Sequence, residues 1–199
     1  MNKKSSVEIL EKIYQSMSNG MRNPKAHSPR QWLIDKKLSF NKTYAAFNSG
    51  QMHHRKEQSF IDELLSVGFL KESNVPTNTG KTGYSSFGNF SVIFPLRNEE
   101  NHIINFYEMG IKKQHSSYMN DTGIYPCYPN ALTKKLIIVD SILDAASVLD
   151  AEILENKQAV MALHQGEIKP QHKQAIARLS ELEEVIYLAS NKYQVASTN

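Results

Sequence analysis

Residues 134–150, KKLIIVDSILDAASVLD, constrain the fold more than any other stretch. Two lysines precede Leu136-Ile137-Ile138-Val139, a short apolar run rich in β-branched residues. A run of this kind, without polar alternation, predicts a strand buried on both faces. Asp140 and Ser141 end it. Ile142, Leu143, Ala145, Ala146, Val148 and Leu149 then recur at helical spacing, with Asp144 among them. A buried strand that passes directly into a helix leaves its last residue at the carboxyl edge of a sheet. Open α/β sheets place their ligands at that edge, which makes Asp140 the first candidate for chemistry.

Two further apolar runs repeat the pattern. Ala159-Val160-Met161-Ala162-Leu163 and Val185-Ile186-Tyr187-Leu188 predict buried strands. Between them Pro170 opens a helix with Ala175, Ile176 and Leu179 inward. The order strand, helix, strand, helix, strand predicts a parallel sheet with right-handed crossovers, the run at 159–163 lying at its edge or beside the first.

Upstream, residues 5–18 predict an amphipathic helix with Val7, Leu10, Ile13, Tyr14 and Met17 on one face and a stop at Asn19-Gly20. Ser28-Pro29 starts a second helix. Ser39 caps a third that runs to Phe47. A fourth spans 55–67, and Gly68 closes it. Trp32, Phe40, Tyr44 and Phe47 read as core at helical spacing. The Ser-, Asn-, Thr- and Gly-rich stretch 73–89 predicts a mobile loop. Phe90–Leu96 and His102–Tyr107 predict the arms of a hairpin around a polar turn. Residues 111–130, with two prolines, predict an irregular connection. The fold class is α+β: a helical N-terminal unit over 1–72, a loop, hairpin and connection over 73–132, and a parallel α/β unit over 133–199.

The chain has 199 residues, 40% of them apolar and 22% charged, enough for one or two small domains with a real core. No apolar run approaches the roughly 18 residues that span a bilayer, and MNKKSSVEILEKIYQ lacks the apolar core of a secretory leader. The expected compartment is therefore cytoplasmic, with no membrane partner. A single cysteine, Cys127, excludes an internal disulfide framework and a cysteine-based zinc site. The net charge of +3 is unevenly spread: residues 1–60 hold eleven Lys or Arg against four Asp or Glu, a surplus of seven, and the remainder has a deficit of four. A basic N-terminal third suits a polyanion partner. The alternative is a solvated helical surface rich in lysine.

Several segments, taken in order over residues 26–195, resemble the catalytic core of bacterial DNA primases with its Toprim domain. In that family an apolar strand ends in Glu-Gly and is followed by a helix carrying Asp-Ala; here Val139-Asp140-Ser141 and Asp144-Ala145 stand in those places. Gln31-Trp32-Leu33 through Phe47, and on to Gly68-Phe69-Leu70, resembles the family's N-terminal helices. Ile93-Phe94-Pro95-Leu96 is similar to its hairpin, and Ser117-Tyr118-Met119-Asn120 stands where the family has Lys-Tyr-Leu-Asn. Leu163–His172 resembles its loop and following helix. The segment GIYPCYPN is similar to one in short primase-like proteins of Bacteroidetes mobile elements.

The resemblance implies a partial Toprim-like sheet at 133–199 and a catalytic and metal role for Asp140 and Asp144. The family's second acidic motif, Asp-x-Asp, falls on Ser190-Asn191-Lys192, and a cation there opposes Mg²⁺, which prefers anionic oxygen ligands. The family's Arg, Gly-Arg and Lys fall on Ser91, Glu108-Met109 and Ser117. The family's zinc-binding domain has no counterpart, and the last Toprim strand and helix are expected to be missing beyond Lys192, leaving an open sheet edge. The resemblance thus implies a truncated, degenerate relative that binds single-stranded or duplex DNA weakly, works in DNA replication or mobile-element biology, and needs no cofactor. The alternatives are an active primase making short RNA primers with Mg²⁺, and a protein-interaction module, homodimer or half of a split primase that uses the open edge.

Candidate nucleic-acid contacts are Arg30, Lys36, Lys37, Arg97, Lys112, Lys113, Lys134 and Lys135, with the last two pairs flanking the groove. Asp140 is either a metal ligand or a polar cap on the next helix, and Asp144 either a catalyst or a first-turn acid. His53 and His54 read as a solvated pair pointing apart on a helix, and His164 as a surface histidine above the sheet.

Overall fold

The computed structural model describes residues 5–54, 56–73, 83–113 and 115–189, together with the backbone of 192–196. Helix α1 (Ser6–Arg22) begins at Ser5, whose hydroxyl accepts the Glu8 N–H while the Glu8 carboxylate accepts the Ser5 N–H, a reciprocal cap. Ile9, Leu10, Ile13, Met17 and Met21 form its buried stripe. The helix does not stop at Asn19-Gly20. It runs through Gly20 to Arg22, where Asn23 caps it with an N–H to the Gly20 carbonyl.

Helix α2 (His27–Asp35) carries Ser28-Pro29 in its first turn, with Ala26 as the N-cap. The helix expected from Ser39 to Phe47 does not form. Residues 40–44 make turns, and Ala46–Asn48 is strand β1. The Asp150 carboxylate takes both the Ser39 amide, at 3.0 Å, and the Ser39 hydroxyl, which removes the expected cap. Phe47 meets Phe90 edge-on at 5.5 Å instead of turning into a helical core. Helix α3 (Gln58–Ser66) follows, and Gly68 lies just past its end. Strands β2 (Leu70–Ser73) and β3 (Gly83–Ser86) pair antiparallel at the two ends of the stretch expected to be a loop. The expected loop's middle, 74–82, lies outside the described residues.

The hairpin forms as expected from β4 (Ser91–Arg97) and β5 (Ile103–Gly110). Six of the seven residues of β4 are buried. Strand β6 (Ser116–Tyr118) adds an arm within the connection expected to be irregular. The antiparallel sheet has the order β1-β4-β5-β6.

The second sheet comprises β7 (Lys135–Val139), β8 (Gln158–Ala162), β9 (Glu184–Ala189) and β10 (Lys192–Ala196), with helices α4 (Ile142–Asp150) and α5 (Pro170–Ala177) between its parallel strands. Its order is β10-β9-β7-β8. Strand β7 pairs parallel with β8 and with β9, as the apolar runs predict, and 158–162 lies beside it at the edge. The outer edge of β9, expected to be open, is paired antiparallel by β10.

Alternation along β7 divides two cores. Ile137 and Val139 join Phe94, Tyr125, Leu33 and Ala145 on the side of the hairpin and α4. Leu136 and Ile138 join Ile124, Met161, Leu163 and Ala175 on the side of α5. A third cluster lies under α1, with Phe69 and Phe106 edge-on at 6.2 Å. No helix among the described residues is long and apolar enough to cross a membrane.

Candidate functional site at the carboxyl edge of the parallel sheet

Asp140 follows β7 directly and is half-buried. Its carbonyl accepts the Gly166 N–H at 2.8 Å, which ties the loop after β8 to the end of β7. Its carboxylate accepts a hydrogen bond from the Tyr187 hydroxyl on β9, and that bond raises the Tyr187 pKa. Asp140 is not the helix cap. Ser141 is: its hydroxyl accepts the Asp144 N–H at 3.2 Å and donates to the Asp144 carboxylate at 2.6 Å. Asp144 is accordingly a first-turn acid in reciprocal contact with the cap.

The resemblance brings Mg²⁺ to this edge, and the donor set does not fit it. Mg²⁺ requires several hard oxygen ligands in near-octahedral geometry. Asp140 and Asp144 are the family-matched carboxylates, and each already accepts from a hydroxyl. Among the described residues no group of three or more His, Cys, Asp or Glu is placed to hold a metal. The positions of the family's second acidic motif hold Ser190, Asn191 and Lys192. Ser190 and Asn191 lie outside the described residues, and Lys192 is described in its backbone alone, opposite Ala189.

Behind this edge lies an aromatic stack that sequence reasoning missed. His164 is buried, only 4% exposed, contrary to the expected surface position. Its Nε2 lies 3.1 Å from the Gly123 carbonyl oxygen. Its ring stacks on Tyr118 at 4.2 Å and meets His172 edge-on at 5.0 Å; Tyr118 in turn tilts against Tyr107 at 4.5 Å. His172 is fully buried, and its Nδ1 accepts the Lys169 N–H at 2.8 Å. Burial, then the neighbouring His164, lowers the His172 pKa to about 4. Burial lowers His164 and raises the Tyr118 hydroxyl. His164, His172 and Tyr118 are thereby held neutral at physiological pH. No periodicity announces it, because its members come from β5, β6, the loop after β8 and α5.

The hairpin face carries a second unexpected group. Glu108 on β5 is 8% exposed. One carboxylate oxygen accepts from Ser117 at 2.7 Å; the other accepts from Ser91 at 3.0 Å and lies 3.3 Å from the His115 Nε2. A Cβ on Gly110 would lie 2.3 Å from the His115 ring, so this glycine lets the ring fold over the carboxylate. Two of the positions at which the resemblance places basic residues, Ser91 and Ser117, thus hold hydroxyl donors to a carboxylate that stands where the resemblance places a glycine. A cleft of about 390 Å³ opens beside them.

The sequence-derived nucleic-acid candidates do not converge. Strand β7 separates Lys135 from Asp140 by about 17 Å at its usual rise, so Lys134 and Lys135 lie at the opposite edge of the sheet rather than beside the carboxyl-edge groove. There they pair with Glu183 and Glu184. The Arg30 guanidinium binds the Asn23, Pro24 and Ala26 carbonyls and braces the α1–α2 turn. Arg97 donates to the Asn101 carbonyl at 2.7 Å. Lys36 lies over the Trp32 ring and Lys112 over Phe90, while Lys37 and Lys113 are exposed. His53 and His54 occupy a turn, not a helix, with ring centroids 4.5 Å apart, so they do not point apart.

The sequence matches no protein-family model and no curated protein. Solved structures do match the fold. The DnaG primase catalytic domain bound to ssDNA superposes with a TM-score of 0.69 at 18% identity, over 92% of this chain and 62% of that one. The E. coli primase catalytic core gives 0.70 at 18% identity, over 92% and 61%. The RNA polymerase domain of Mycobacterium tuberculosis primase DnaG, in complex with a double-stranded DNA oligomer with a 6-nucleotide overhang, gives 0.71 at 12% identity, over 94% and 64%. The chain therefore has the primase catalytic-core fold and spans less than two thirds of the length of these structures.

Proposed function

We propose that the chain is a primase-related nucleic-acid-binding protein that serves DNA replication without polymerising. Three observations support this reading. The fold is that of primase catalytic cores, whose solved complexes include ssDNA and duplex DNA. Residues 1–60 carry a positive surplus of seven, which favours a polyanion through counterion release. The observation that carries the non-polymerising part is the pairing of Asp140 with Tyr187, together with a sequence that holds no carboxylate at 190–192. Phosphoryl transfer by this fold class depends on metal ions that bridge the phosphates, and these residues do not supply their ligands.

The test is fluorescence anisotropy with a labelled single-stranded oligonucleotide at two salt concentrations, alongside a primer-synthesis assay with Mg²⁺ and all four ribonucleotides. The expected dissociation constant is on the order of micromolar or weaker at physiological salt, rising steeply with salt, with no primer formed. Primer synthesis would restore the enzyme reading. An absence of binding even at low salt would replace nucleic acid with a protein partner.

A further inference from the structure

One concavity lies away from both the Asp140 edge and the Glu108 face. It is a groove of about 1110 Å³ between α1, α3 and the segment after β1. A large, well-formed concavity with convergent polar groups is the default binding site of a fold. All of its lining residues except Glu63 belong to the basic third of the chain. Lys12, Lys25 and Lys56 line it, and Phe47, Met52 and Phe60 supply its apolar surface. Resting on the nucleic-acid reading above, we infer that this groove seats single-stranded nucleic acid, with the three lysines meeting phosphates and the two phenylalanines meeting base faces.

Charge favours this seat over the others. At the hairpin face a desolvated carboxylate, Glu108, occupies the centre, and a phosphate there would meet like charge. Lys134 and Lys135 are each engaged by a glutamate. In the groove, Lys25 and Lys56 have no carboxylate within 4 Å among the described residues, and Lys12 reaches Glu63 only at 3.9 Å. Glu57 and Glu63 also line the groove, so three ammonium groups face two carboxylates. That small surplus fits weak binding.

Shape selects the strand form. The groove is walled by two helices and by the segment after β1, and it offers partly buried aromatic rings. The Phe60 ring is already capped by the Lys12 ammonium at 4.8 Å, an arrangement in which cation and ring act on one nucleotide together. A duplex buries its base faces and presents only phosphates, so the rings give it nothing. Stacking on aromatic side chains along a positive groove is how proteins hold single strands without reading sequence.

The experiment compares the full-length chain with its Lys12→Gln/Lys25→Gln/Lys56→Gln variant in oligothymidine binding across a salt series. The variant is expected to bind about tenfold more weakly at low salt, with a salt slope smaller by about two to three. Lys112→Gln/Lys113→Gln serves as the control and is expected to change affinity by less than about twofold. A 5-iodouracil oligonucleotide, photo-cross-linked to the wild-type chain, is expected to label the peptide spanning Phe47 to Phe60. If the wild-type chain binds but the triple variant matches it in affinity and salt slope, the groove is refuted while nucleic-acid binding stands. Cross-links confined to residues 112–135 refute it likewise. If the wild-type chain fails to bind at low salt, the nucleic-acid reading falls and the groove assignment with it.

Discussion

The hairpin face and the carboxyl edge of the parallel sheet each combine a carboxylate, hydroxyl donors and histidine, with opposite results. At the hairpin face the groups point at one another. Glu108 is nearly desolvated, and Ser91, Ser117 and His115 converge on its two oxygens. At the carboxyl edge the same chemical types are segregated. Asp140 takes a Tyr187 hydroxyl, while His172 lies deeper, against His164 rather than a carboxylate. At the hairpin face the His115 ring thus faces a carboxylate. A proton arriving at His172 enters a buried site beside a second imidazole and near Lys169. Residue type alone does not decide what a polar cluster does; the partner each group faces decides it.

The largest expected consequence is a loss of stability in acid that originates at the carboxyl edge. The His172 pKa falls from 6.5 to about 4 on folding. The unfolded chain therefore binds more protons in this window, and stability rises with pH across it. The contribution is complete above about pH 6.5 and is lost as the pH falls toward 4, amounting to about 3 kcal/mol. Urea unfolding at pH 7, 5.5 and 4.5 measures it. His172→Asn, which keeps an acceptor for the Lys169 N–H, should flatten the profile. Equal acid sensitivity in wild type and variant would place the response elsewhere and erase the contrast between the two regions.

Next in size is the hairpin face. Glu108→Ala removes the acceptor of one buried and one half-buried hydroxyl and is expected to cost about 2–3 kcal/mol in the same unfolding assay. Glu108→Gln keeps an acceptor and should cost about 1 kcal/mol. An alanine variant as stable as wild type would show that the buried charge contributes nothing net, as happens for some buried ionic groups.

The Asp140 contact should be weaker. Asp140→Ala and Tyr187→Phe are each expected to cost about 1 kcal/mol, with a coupling of similar size in the double-mutant cycle. Additive effects would mean that the hydroxyl and carboxylate do not support each other. The smallest expected effect is that of Mg²⁺. Millimolar concentrations should leave the melting temperature of wild type and of Asp140→Ala unchanged, and a rise in wild type alone would turn the Asp140 edge into a metal site.

These contrasts were unevenly legible in the sequence. The parallel sheet was readable because Leu136–Val139 is a continuous apolar run between a charged pair and a helical repeat, and burial on two faces leaves that mark in composition. The hairpin was readable for a similar reason. Strand β1 was not: Phe47 and its neighbours fit a helical stripe until Asp150, more than a hundred positions away in sequence, takes Ser39 and strand β4 offers its edge. Strand β3, GYSS, has the composition of a loop and forms against Leu70–Ser73 through backbone pairing. At the site, Asp140 was legible as a position at a sheet edge, because strand-to-helix junctions fix position. Its Tyr187 partner was less so, since that hydroxyl arrives from a strand whose inner face reads as core. Around the Glu108 cluster the sequence showed only missing basic residues at Ser91, Met109 and Ser117. That Ser91 and Ser117 instead donate to Glu108 becomes apparent when three strands are laid side by side.

Strand β7 has one more consequence, on the axis of time. It is hydrogen-bonded on both flanks, to β8 and β9, and covered on both faces by different cores. Its amides cannot meet deuterium by fraying from an edge, so Ile137 and Ile138 should exchange only when the whole molecule opens. Strand β10, with a single neighbour, should exchange through local openings. The segment that carries Asp140 is thus anchored to the slowest-moving part of the protein, and the loop at Gly166 that leans on it inherits that stillness through one backbone bond.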